Sequence, residues 1–162
     1  MIILPTDATD EQIKQLVIDW IAVVAQERYE EALAMLYQGN INPYGSERFY
    51  PGARFTPEKL QLAIASYGSL DPELGHCYRA APVTPLRFEV FSDYFRVERQ
   101  AEPWEGLSSE NYLAELRCDL PLTSTDPHEA FADDAISDLT LQMYVRRVPN
   151  GLALELSMIH CM

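Results

Sequence analysis

Positive charge is what this chain has least of. Its 162 residues carry 12 Lys and Arg against 25 Asp and Glu, a net charge of −13 with histidine neutral. Such a surface makes a nucleic-acid backbone or an anionic membrane a poor partner. Cysteine is scarce as well. Cys77, Cys118 and Cys161 are an odd set with no CxxC or metal-finger spacing, which predicts reduced thiols in a reducing compartment. No apolar run approaches the roughly 20 residues that span a bilayer. The opening MIILPTDATDEQ has early acids and no positively charged flank, unlike a secretory signal. Together these absences predict a cytoplasmic protein. No GxSxG, GxGxxG, GxxxxGKS or GxxxxGKT string occurs, so serine-hydrolase and nucleotide chemistry have no support.

Apolar residues are plentiful: 48% of the chain is hydrophobic, including nine Tyr, six Phe and two Trp. That is enough for one core, and the length suits one domain over residues 1–162, with a helical part of about 9–68 and a sheet part of about 86–161. Thr9 with Gln12 forms a capping-box pattern before the stripe Ile13, Leu16, Val17, Trp20, Ile21 and Val24. A second short helix carries Tyr29, Ala32, Leu33, Leu36 and Tyr37, with Gly39 as its stop. Thr56-Pro57-Glu58 predicts a third helix, facing inward through Leu60, Ala63, Ile64 and Tyr67.

After Gly68 the period changes. Residues from about 70 to 85 read as a loop. Leu86, Phe88 and Val90 then alternate with Arg87 and Glu89, and Phe95 and Val97 resume the pattern after Ser92-Asp93, which reads as a strand. Further strands follow from the alternations Ala114–Leu120, Leu139–Arg146 and Leu152–Met158, the last two joined by a turn at Pro149-Asn150-Gly151. Leu141, Leu154 and Leu156 should be buried on the sheet face that meets the helices. The fold class is therefore α+β, with N-terminal helices packed on a curved antiparallel sheet.

On this architecture the run VIDWIAVVAQERYEEALAMLY, with the later TPEKL helix, resembles the opening of the NTF2-like (cystatin-like α+β) superfamily. The resemblance implies a cone between sheet and helices, a place where enzymes of that superfamily carry their acids and bases. The carboxyl half, CDLPL and SDLTLQMYVRRVPNGLALELSMIHCM, is similar to bacterial immunity-type proteins of polymorphic or contact-dependent toxin systems. That likeness puts Asp119, Asp138 and His160 at motif positions without supplying their role, and they are carried forward as a polar cluster.

The inward-facing alternating sets contain no carboxylate, so no general base with a tuning partner is visible and no catalytic residue is assigned. His76 and His128 lie in loops without ligand spacing, and no metal or cofactor is expected. The acids are concentrated instead. From Glu98 to Asp138 there are eleven, against Arg99 and Arg117 as the only bases. This is either a solubility device or an attractive surface for a basic macromolecule. Trp104 sits among Glu102, Glu105 and Glu110, and Tyr44, Phe49, Tyr50 and Phe55 cluster in the first connection; either set is loop packing or an interface anchor. The partner-binding candidates are Trp104, Glu105, Asp126, Glu129, Asp133 and Asp134. The expected role is a non-catalytic acidic binding protein, an immunity protein neutralising a basic, nuclease-like toxin. The alternative is an NTF2-like small-molecule binder or enzyme that uses the inner cavity. Oligomeric state is left open.

Overall fold

A computed structural model describes residues 1–38, 55–67, 78–99, 111–125 and 137–161. The first helix, α1 (Asp10–Ala25), begins with the capping box read from the sequence. The Thr9 amide donates to Gln12 Oε1 at 2.9 Å, and the Gln12 amide donates to Thr9 Oγ1 at 3.3 Å. Two of the helix's orphan donors are thereby satisfied. The stripe from Ile13 to Val24 is buried. Trp20, with no exposed surface, donates its indole N–H to the Ala32 carbonyl at 3.0 Å. That bond fixes α2 (Tyr29–Met35) against α1. In α3 (Pro57–Ala65), Thr56 caps the Lys59 amide, proline occupies the first turn, and Leu60, Ala63 and Ile64 face the core.

The sheet follows as β2 (Arg96–Arg99), β3 (Tyr112–Asp119), β5 (Leu139–Val148) and β6 (Gly151–Cys161), antiparallel in the order β2-β3-β5-β6. Asn150, at φ 74°, turns β5 into β6, with Val148 opposite Gly151. One face of the sheet presents Ala114, Leu116, Cys118, Leu139, Leu141, Met143, Val145, Leu152 and Leu154, all buried in one cluster with the helix side chains. The fold is α+β, as the period change predicts. Leu156 departs from expectation, being only partly buried. A bulge between Gln142 and Met143 leaves Ser157 without a cross-strand partner and breaks strict alternation there.

Three segments differ from the sequence reading. Residues 85–94 form a helix, α4 (Pro85–Tyr94), not a strand, and Leu86 and Phe88 are exposed where an inward strand face was expected. A short strand β1 (Tyr78–Ala80) stands inside the expected loop of residues 70–85. It pairs with β4 (Leu122–Ser124), which lies between the strands read at Ala114–Leu120 and Leu139–Arg146, where no strand was expected. Both strands have three residues, too short for alternation to register against turn-rich neighbours. Leu120 and Pro121 carry β3 out of the large sheet into this small one: the Leu120 amide reaches the Leu139 carbonyl, and Pro121 accepts from the Ala81 amide.

Residues near the amino terminus close the far edge of β6. Leu4 and Leu152 exchange backbone hydrogen bonds of 2.8 and 2.9 Å, and the Tyr37 amide donates to Leu154 at 2.7 Å. Gly151 makes this approach possible, since a Cβ there would lie 2.1 Å from the Leu4 carbonyl oxygen.

Candidate functional site

The second face of the sheet carries the polar halves of the alternating strands, and the sequence reading assigned it no cover. The structure buries much of it. Glu115, Thr140, Gln142, Tyr144 and Glu155 are each 6% exposed or less, as is Tyr112. A carboxylate stripped of water is costly unless paired and hydrogen-bonded, and here both are. Glu115 Oε1 accepts from Gln142 Nε2 and from Arg117 Nε, each at 2.6 Å. Arg117 stands opposite Gln142 in the ladder, so the register itself brings the three together.

The second pair lies one strand over. Arg146 Nη1 donates to Glu155 Oε2 at 3.1 Å and to the Tyr112 hydroxyl oxygen at 2.8 Å, while the Tyr112 hydroxyl donates to Glu155 at 3.2 Å. The guanidinium also lies 4.3 Å from the Tyr37 ring centre and 5.1 Å from that of Tyr112. This is cation–π geometry on two faces. Burial, then the adjacent Glu155 charge, pushes the Tyr112 hydroxyl well above its ordinary value of 10.0. It therefore stays protonated and keeps donating. Glu115 and Glu155 are functional-looking groups that parity alone could not find, because Glu, Gln and Arg at alternate positions read the same whether or not something covers them.

At the end of the same face, the register sets Asp119 opposite Thr140 and Thr140 opposite His160. Thr140 Oγ1 donates to Asp119 at 3.1 Å. Asp138 receives the hydroxyl of Tyr67, and its own amide donates to that hydroxyl oxygen at 3.3 Å. The three positions singled out from the sequence thus come to one rim of the sheet. Burial and the nearby Asp138 charge raise the Asp119 carboxyl above its ordinary 3.8, with the Thr140 hydroxyl opposing them. The folded state then holds the Asp119 proton more tightly than the unfolded chain. Its stabilising contribution is present below about pH 4 and is lost as pH rises through the raised value. Asp119→Asn keeps an acceptor for Thr140 and should be more stable than wild type at neutral pH, the gain vanishing in acid. Urea midpoints across the acid range check this, and a variant less stable at neutral pH would overturn it.

The remaining sequence candidates fall elsewhere. Trp104, Glu105, Asp126, Glu129, Asp133 and Asp134 lie outside the described residues, as do His76, His128, Tyr44, Phe49 and Tyr50. Phe55 is partly buried against the core. Cys118 is buried within the inner face, and burial pushes its thiol far above the ordinary 9.0, so it packs as a small apolar group. Among the described residues no three His, Cys, Asp or Glu stand close enough to hold a metal ion. None of the described helices is long and apolar enough to cross a membrane. A cleft of about 190 Å³ opens between Glu27, Tyr29, Gln61 and Arg79, crossed by an Arg79–Glu27 ion pair at 3.2 Å. Its volume is below the roughly 300–1,000 Å³ usual for small-molecule sites.

Chemically, the second face offers neutralised charges. Each buried carboxylate is engaged by an arginine and by a neutral donor, which suits a rigid platform better than proton transfer. Comparison with protein-family models, curated proteins and solved structures finds no match for this chain.

Proposed function

We propose that the protein is a non-catalytic acidic binding protein on an NTF2-like cone, an immunity protein that covers the active site of a basic, nuclease-like bacterial toxin. One observation carries the reading. The two buried carboxylates, Glu115 and Glu155, are each neutralised by an arginine within the fold, so the chain's large acid excess is left for the surface and its partners. A nuclease must be basic to hold a polyanion, and an acidic inhibitor answers that charge. The cone is supported by helices on one sheet face and by the passage of β3 into the β1–β4 pair. The packed inner face weighs against a small-molecule or enzymatic use of that space, since Leu116, Leu139, Leu141 and Leu154 have no exposed surface.

The test is co-purification with the product of the adjacent gene, followed by association kinetics at two salt concentrations. Steering acts through a field screened over roughly 8–10 Å at physiological ionic strength. The association rate should therefore fall steeply with salt, and about 10-fold or more when Asp126, Glu129, Asp133 and Asp134 are neutralised together. Trp104→Ala should shorten the lifetime of the complex instead. A partner indifferent both to salt and to these four acids would sink the acidic-interface reading.

A further inference from the structure

Helix α4 anchors itself in the core by Phe91 alone, and the rest of its burial runs against expectation. Leu86, Phe88 and Tyr94 are 73%, 45% and 56% exposed, while Arg87 is only 7% exposed. Arg87 gains little from that burial. Its Nη1 reaches the Pro82 carbonyl at 3.4 Å, and its Nε has no hydrogen-bond partner among the described residues. Burying Phe91 accounts for the helix's seat on the core, but solvating the arginine and covering the three large apolar side chains would each lower the free energy. Local rules broken in this way concentrate where a surface has another use. The other large exposed hydrophobics among the described residues are Met1, Ile2 and Ile3, so within ordered secondary structure α4 stands apart.

The exposed groups also have an order. Leu86, the half-buried Val90 and Tyr94 recur every four residues and form one stripe along the helix. Glu89 and Asp93 are exposed beside it. With Arg87 buried, these two acids are the only exposed charges that α4 carries. Phe88 stands to the other side, with Lys14 Nζ 5.7 Å from its ring centre. A stripe of apolar anchors at helical spacing, with acids along one edge, fits a helix laid into an apolar groove.

We propose that α4 is a docking helix for a basic protein, whose apolar groove receives Leu86, Val90 and Tyr94 and whose Lys or Arg side chains at the groove edge meet Glu89 and Asp93. This rests on the reading of the chain as a binder of a basic protein and names the surface that reading lacks among the described residues. A second copy of the chain is a poor occupant, since it would bring the same two acids against themselves.

A photo-crosslinking amino acid placed at Leu86 or at Tyr94, with exposed Glu30 on α2 as the control position, tests the surface in the native host. Both α4 positions should trap one protein of basic isoelectric point, and position 30 should not. With that protein purified, Leu86→Ser combined with Tyr94→Ser should weaken the Kd about 30-fold, the size of an interface anchor. Glu89→Gln with Asp93→Asn should mainly slow association. Unchanged circular dichroism and melting temperature would show that the fold is intact in both pairs. Crosslinks to a second copy, to a neutral or acidic protein, or to nothing would overturn the docking helix. A basic partner whose affinity ignores all four substitutions would overturn it too, while leaving the acidic-binder reading in place. Loss of salt dependence would remove that reading instead.

Discussion

Arg146→Ala should destabilise the protein by about 3–5 kcal/mol, the cost typical of removing one partner of a buried ion pair. The size follows from what is left behind. Glu155 is 6% exposed, and without the guanidinium its carboxylate keeps, among the described residues, only the Tyr112 hydroxyl at 3.2 Å. The Tyr37 and Tyr112 rings lose their shared cation at the same time. The double change Arg146→Met with Glu155→Leu should recover most of that loss, since neither charge then has to be desolvated. Urea unfolding of the single and double variants measures both. A single-variant loss below about 1 kcal/mol would mean that water reaches the pair and screens it.

Trp20→Ala should cost about 3–5 kcal/mol, as large-to-small changes at a fully buried aromatic do. The indole fills space among the helices and the inner sheet face, and its N–H holds the Ala32 carbonyl at 3.0 Å. The substitution therefore leaves both a cavity and a carbonyl without that donor. On the sheet side the contrast between neighbours is diagnostic. Leu154, with no exposed surface, should cost about 2–5 kcal/mol on truncation to alanine. Leu156, partly buried past the bulge, should cost clearly less. Equal losses at the two positions would show that alternation continues unbroken along β6.

Several elements were legible because their signals are local. The Thr9–Gln12 box, the Thr56-Pro57 start and the Asn150-Gly151 turn each act within four residues, and each is found where the sequence puts it. The error at residues 85–94 is instructive for the same reason. Leu86, Phe88 and Val90 alternate over five residues, which is too few to separate a strand from a helix whose apolar groups are scattered around its axis. The signal that decides it lies just upstream. Thr84-Pro85 repeats the pattern of Thr56-Pro57, extended residue then proline in the first turn, although Thr84 makes no side-chain capping bond.

The site was partly legible. Asp119, Asp138 and His160 were grouped by resemblance, and the ladder sets Asp119 and His160 on either side of Thr140, with Asp138 two residues before it in the chain. Glu115, Arg146 and Glu155 fall within the alternating runs, and the sequence reading gave them no role. Alternation reports which side of a sheet a residue occupies, but not whether that side is wet. The exposed face of α4 was hidden by the strand assignment itself, which turned Leu86 and Phe88 inward.

The backbone bonds between Leu4, Tyr37 and β6 bear on how the molecule behaves in a crowded solution. A bare strand edge offers unpaired amides and carbonyls to any neighbouring chain, and it is a common starting point for aggregation. Here the amide and carbonyl of Leu152 and the carbonyl of Leu154 are already taken by segments from the other end of the sequence. Colloidal behaviour is thereby tied to the first few residues rather than to the sheet's own strands. Trimming the chain back past Leu4 would cost the core only that one partly buried side chain, yet it would open that stretch of β6 to strand pairing between molecules.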